Sequence, residues 1–302
     1  MFAVFNDVLG FNETTELTQA EFNAIGAVRK VLDEINDFEE RFWIVCELYR
    51  ELEETCMKTA LNYAIYHHYD ETDHILARSL IGMRVASFLS ASRLYLDTCG
   101  SSAVKITLGK VNDQEAKKFT SDAYDNNFEY RFCCYLRDYA VHNSIPVHGM
   151  AIDLSRNVEL DLVDHKVYFS IPLAPLIIWA KREKNFRKEL VGFSNPSFDL
   201  KIGIRKYFSL ICEIHEKIRK VISDCETSAE NQIANARLRH TSKKLNAEAL
   251  PGLCVCELDD QGLKIAGVKT IYLSVSDDKV REIIQLKTSS MVGIEKRRIL
   301  SH

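Results

Sequence analysis

The segment Arg137-Asp138-Tyr139-Ala140-Val141-His142 combines side chains that can move a proton and hold an anion. Asp138 and His142 are four apart, so on a helix they share one face within contact range. The carboxylate can accept a hydrogen bond from one imidazole nitrogen and leave the other free to exchange a proton. A base held by an orienting group is the recurring arrangement of acid–base sites. The apolar pattern ends close behind His142, so this residue lies in the last helical turn, where the negative end of the macrodipole favours the imidazolium. Both effects suit it to proton transfer near neutral pH. Arg137 precedes His142 by five residues, an offset of about 140° at 3.6 residues per turn. The two side chains therefore do not converge on one atom within one chain. A twofold dimer would bring two arginines and two histidines to one groove. The guanidinium donates a bidentate fork that matches phosphate. An imidazole beside it can deprotonate a ribose 2′-hydroxyl while the arginine stabilises charge developing on phosphorus.

The elements that must position these residues are helical. Thr18-Gln19-Ala20-Glu21 reads as a capping box, and Phe22, Ile25, Val28, Leu32 and Ile35 follow at helical spacing. A second helix is predicted from near Asp37 toward Tyr66, and a third from Thr72 or Asp73 to about Thr98, with Gly100 as its stop signal. A polar fourth helix spans about Asn112 to Tyr124. Phe128, Phe132, Tyr135 or Leu136, and Tyr139 mark the fifth, which carries the motif and ends at Ser144-Ile145-Pro146, because the residue before proline avoids the α region. Three apolar alternations then predict a two- or three-stranded meander: Met150/Ile152/Leu154, Val158/Leu160/Leu162 and Val167/Phe169/Ile171. Helices resume from Pro175 to about Lys188, and a long one runs from Asp199 toward Leu245. Pro251-Gly252 marks a boundary. Beyond it, strands are expected around Leu253–Glu257 and Lys264–Leu273, with a helix near Asp277–Leu286.

Composition agrees with a folded, mainly helical chain. Of 302 residues, 46% are apolar and 27% charged, so a core is expected. With 12 Gly and 5 Pro, long helices fit better than an all-β fold. A net charge of −4 argues against a whole-surface nucleic-acid binder but leaves room for a local basic patch. No apolar run is read as long enough to span a bilayer and no secretory signal is seen. The nine scattered cysteines are expected as reduced thiols in the cytoplasm.

The motif resembles the signature of the HEPN superfamily: Arg, then Asn, Asp or His, then three residues, then His. The longer run from Phe132 to Val147 is similar to uncharacterised bacterial HEPN-like proteins in which Arg-Asn/Asp-Tyr…His precedes a proline. The resemblance implies a helical bundle, often dimeric, and a metal-independent endoribonuclease of the kind found in bacterial toxins, abortive-infection systems and CRISPR effectors. It implies Arg137 and His142 as catalytic residues and Asp138 as the polar orienter, with an RNA substrate, a homodimer with a composite site, a cognate antitoxin or sensor protein as a further partner, and no cofactor, metal or membrane. In some toxin members a tyrosine two residues after the histidine is modified by the partner, and here Ser144 stands there. The predicted organisation is a HEPN-like bundle over 1–148, a β-meander over 149–172, long helices completing the bundle over 173–248, and a small α/β appendage over 249–302. Two other readings stay open: a catalytically inactive RNA- or nucleotide-binding HEPN module, and a helical interaction scaffold in which Arg137 is a solvated charge and His142 caps the last carbonyls.

Other constellations read as structural. His67-His68 with His74 fits a solvated connection better than a metal set. Cys254-Val255-Cys256 alternates as in a strand and lacks a partner pair at zinc spacing. The basic runs Lys181-Arg182-Glu183-Lys184, Arg237-Leu238-Arg239-His240 with Lys243-Lys244, and Lys296-Arg297-Arg298 read as solvated faces. Phe128, Phe132, Tyr135 and Tyr139 are able to stack bases but sit at core spacing. There is no Walker loop, dinucleotide fingerprint or His-Glu-x-x-His motif.

Overall fold

The computed structural model describes residues 1–7, 14–66, 70–159, 161–180, 183–241, 252–265 and 267–297. The chain is mainly helical with small antiparallel sheets, as the sequence predicts. In order, the elements are β1 (Phe2–Asn6), β2 (Thr14–Leu17), α1 (Gln19–Ile65), α2 (Glu71–Ile106), α3 (Asp113–Asn126), α4 (Phe128–His142), β3 (Gly149–Asn157), β4 (Leu162–Pro172), α5 (Leu173–Trp179), α6 (Lys184–Val191), β5 (Ser197–Asp199), α7 (Leu200–Thr241), β6 (Leu253–Glu257), β7 (Ile271–Tyr272) and α8 (Ser276–Thr288). They form two compact units, Met1–Glu40 with Cys99–Ala116 and Ile218–Ser290, and Arg41–Thr98 with Lys117–Lys217 and Met291–His302.

The expected capping box forms. Thr18 N–H donates to Glu21 Oε2 at 2.8 Å and Glu21 N–H to Thr18 Oγ1 at 3.2 Å. The helix it opens does not break near Asp37 but continues to Ile65. No Gly or Pro stands between Asp37 and Ile65, and Asn36, a residue type that competes for the backbone, spends its side chain on Asp278 and Arg281. In α2 the cap is Asp70, whose Oδ1 accepts from the Thr72 and Asp73 N–H groups. That helix also passes its expected stop. A Cβ on Gly100 would lie 3.5 Å from Ala116 Cβ, so the glycine serves close packing and not termination. The helix ends instead where Leu108 and Gly109 take positive φ and Gly109 N–H bonds the Val104 carbonyl at 2.9 Å.

The meander is a hairpin, β3 with β4, and its third strand is β5 against the end of β4. The middle strand read around Val158–Leu162 does not form. Val158 and Glu159 lie in the turn, Asp161 takes φ 49° and Val158 is 81% exposed, while Leu160 lies outside the described residues. The helices expected from Pro175 to about Lys188 are two short pieces, α5 and α6.

The unit carrying the motif is built on ring packing. Phe42, Tyr49, Phe88, Tyr207 and Phe208 are all buried, each such side chain contributing roughly 1.5–3 kcal/mol. Tyr49 stacks on Phe208 at 4.1 Å and Phe42 on His215 at 3.6 Å. Tyr95 Oη and His215 Nδ1 lie 2.8 Å apart, which satisfies both polar atoms inside the core. Burial pushes the Glu53 carboxyl up, but the Arg205 guanidinium at 2.6 and 2.7 Å and the Tyr49 hydroxyl at 2.8 Å hold it below the usual range. Among the described residues, α2 is the one helix long and apolar enough to cross a membrane, closer to a span than the sequence reading finds. Its Val85, Phe88 and Leu89 are buried in this core, and its Arg84 pairs with Glu51 of α1 at 2.6 Å.

The other unit has a four-stranded antiparallel sheet in the order β2-β1-β6-β7. Sequence reading missed β1 and β2; β1 pairs with β6 so that Val4 faces Val255. The last fifty residues are therefore joined to the first twenty by a ladder. Arg29 clasps Asp278 of α8 at 2.7 and 2.8 Å, and Arg281, 2% exposed on its side chain, reaches Glu230 at 2.6 Å. The run Arg237–His240 is structural. Arg237 Nε donates to the Leu273 carbonyl at 2.8 Å, Arg239 meets Glu21 at 2.6 Å, and buried His240 lies 3.0 Å from Thr15 Oγ1. Positions 242–250, with Lys243, Lys244 and Leu245, and Pro251, Lys181, Arg182 and Arg298 lie outside the described residues.

Candidate active site

The motif stands where the sequence puts it, on the last turns of α4. Phe132, Leu136 and Tyr139, spaced four and three, are buried and fix which side of the helix faces the core. Phe132 lies 4.1 Å from the Phe198 ring, and Tyr135 stacks on Phe186 at 4.0 Å with planes 7° apart. The motif aromatics are packing residues, as their spacing predicts. With that face inward, Asp138 and His142 are exposed and Arg137 keeps 32% of its side chain in solvent.

The pairing differs from the expected one. Asp138 does not bond His142; its Oδ1 accepts from Arg137 Nη1 at 2.9 Å. The reason is reach: a guanidinium on the neighbouring residue folds along the helix surface to the carboxylate and makes a charge-assisted bond there. Arg137 Nε is shielded from solvent without an acceptor, and Nη2 makes no protein hydrogen bond among the described residues. His142 is not a cap. The Tyr139 carbonyl already accepts from the Asn143 and Ser144 N–H groups at 2.9 and 3.2 Å, so backbone closes the helix.

Sequence reasoning missed Arg93. It lies on α2, donates from Nε to Asp97 Oδ2 at 2.9 Å and is half exposed. Burial works against its charge, but Asp97, Cys134 and Asp138 around it raise its pKa above the ordinary arginine value. Arg137 thus bonds Asp138 directly, while Arg93 feels its charge from α2 without bonding it. Forty-four residues separate Arg93 from Arg137, and no local pattern announces the meeting. Burial pushes the thiol of Cys134, one turn before Asp138, up to about 11, which disfavours the thiolate that a nucleophile needs. Beyond the motif, Trp179 packs edge-on against Tyr139 at 6.1 Å and stays partly exposed, with Val141 and Ile145 exposed nearby in sequence.

His74 places Nε2 3.0 Å from the Met150 carbonyl, while His67 and His68 lie outside the described residues. Among the described residues no three His, Cys, Asp or Glu side chains gather as a metal set. All nine cysteines are free thiols, with Cys254 and Cys256 buried in β6. No protein-family model, curated protein or solved structure matches the chain, so the likeness to HEPN proteins rests on the residues of α4 and the helical setting.

Proposed function

We propose that the chain is a metal-independent endoribonuclease of HEPN type, working in the cytoplasm as a homodimer whose composite site joins two copies of α4. The observation that carries this reading is the exposed end of that helix. There Arg137 holds a carboxylate with one donor and keeps another uncommitted, and His142 stands one turn beyond with no capping duty. In the reaction, an unprotonated His142 imidazole takes the 2′-hydroxyl proton and the 2′-oxygen attacks phosphorus. The P–O5′ bond breaks, leaving a 2′,3′-cyclic phosphate, and the 5′-oxygen is protonated by water or by the imidazolium of the second copy. Arg137 stabilises the charge on phosphorus. Asp138 is a positioning residue that acts on the guanidinium and not on the imidazole. Trp179 offers a ring on which an unpaired base can stack. A toxin or defence role with a cognate antitoxin or sensor belongs to the same reading.

The test is cleavage of single-stranded RNA in EDTA, with products resolved by end chemistry. Arg137→Ala and His142→Ala are expected to lose cleavage by at least ~100-fold, the scale of a general base, with unchanged thermal unfolding. Cleavage by both variants at the native rate overturns the proposal. RNA binding without turnover in the native protein would move the reading to a catalytically silent module.

A further inference from the structure

A second site lies away from the motif, in the unit that holds the four-stranded sheet. A cavity of about 560 Å³ opens there between α1, the end of α2 and the strand β7. Its volume falls within the range of small-molecule sites, roughly 300–1,000 Å³. The floor is apolar, from Phe22, Val31 and Ile271, the last two nearly fully buried. Gly26 keeps the helix backbone low at this point, since a Cβ there would lie 3.1 Å from Ile271 Cδ1. Three lysines, Lys30, Lys105 and Lys269, stand around this floor. Glu34 stands among them: its Oε2 accepts from Lys105 Nζ at 3.1 Å and its Oε1 from Ser102 Oγ at 2.7 Å. Among the described residues that line the cavity, three ammonium groups face one carboxylate, an excess of two positive charges above an apolar surface. Like charges gathered at a pocket repel one another, and an anion entering between them relieves that repulsion.

We infer that this cavity binds a small phosphomonoester with a flat apolar body. A phosphomonoester carries about −1.5 to −2 charge at neutral pH, matching that excess of positive charge. Lysine serves phosphate as a mobile point charge and needs no fixed fork geometry. The ring lies on the floor and the phosphate reaches Lys30 and Lys269. The shared chemistry fits a free nucleotide or a non-nucleotide aryl phosphate, and the site is independent of RNA cleavage at α4.

The test is calorimetric titration of the full chain with AMP, phenyl phosphate, adenosine and inorganic phosphate, up to about 1 mM. Saturable binding of AMP or phenyl phosphate is expected, with adenosine and inorganic phosphate at least about tenfold weaker. AMP alone identifies a nucleotide site; both together identify a general aryl phosphate site. The Lys30→Gln, Lys269→Gln double variant, altered at exposed positions, is expected to lose at least about tenfold in affinity. Lys118→Gln on α3 and Arg137→Ala are expected to bind as the native chain does. The inference is overturned if neither phosphate ester binds, if adenosine binds as tightly as AMP, if the double variant is unchanged, or if Arg137→Ala abolishes the binding.

Discussion

Glu39 is fully buried, and its carboxylate is held by Arg219 from Nε at 2.8 Å and Nη2 at 2.5 Å. Arg219 Nη2 also donates to Thr288 Oγ1 at 2.7 Å, so the pair ties α7 to both α1 and α8. Arg219→Met removes the compensating charge and keeps most of the side-chain volume. Gln285, at 3.4 Å from Glu39 Oε1, is a weak and neutral substitute. Breaking a buried pair from one side costs about 3–5 kcal/mol, a fifth or more of a typical total of about 5–15 kcal/mol. At roughly 2–4 °C per kcal/mol the expected fall in Tm is about 6–20 °C. Adding Glu39→Met removes the buried carboxylate as well, and the double variant should return to within about 2 kcal/mol of the native chain, since apolar replacement of a buried pair is often neutral. Urea unfolding of the four proteins closes the double-mutant cycle. The reasoning is refuted if Arg219→Met costs less than about 1 kcal/mol, or if the double variant loses the sum of the two single losses.

Glu53 gives a pH signature with a definite sign. Its carboxyl is held below its ordinary value of 4.5, so the stability it contributes is present above that pH and is lost as pH falls through the lower folded value. In Arg205→Met, burial dominates and raises the group, so stability should instead decline as pH rises past 4.5; parallel urea midpoints against pH would disprove this. Gly203→Ala should destabilise by about 1–3 kcal/mol from overpacking, because a Cβ there would lie 2.4 Å from the Phe198 ring. An unchanged thermal midpoint would show that the ring moves aside freely.

Much of the motif helix was legible because its signals are local. Phe132, Leu136 and Tyr139 state the buried face, so the outward placement of Asp138 and His142 follows from helical periodicity. The Asp138–His142 hydrogen bond did not follow, since sequence spacing names every side chain in reach of a carboxylate and cannot rank them. Arg137 reaches it along the helix, while Arg93 on α2 bonds Asp97 and only feels its charge. Errors at Asp37 and Gly100 have a common cause: a breaker was read from its intrinsic preference, while Asn36 and Gly100 are used by neighbours far away in sequence.

By itself, the sequence determined a mainly helical chain, the caps at Thr18 and the motif at the end of α4, because composition, periodicity and capping act within a few turns. Only tertiary structure decided that β1 pairs with β6, that Arg237 and His240 are anchors and not a solvated run, that Arg93 on α2 feels the charge of Asp138, and that three lysines share one apolar cavity. Each depends on segments tens to hundreds of residues apart. Such meetings are set by how the faces of long helices pack, and no window of sequence contains both partners.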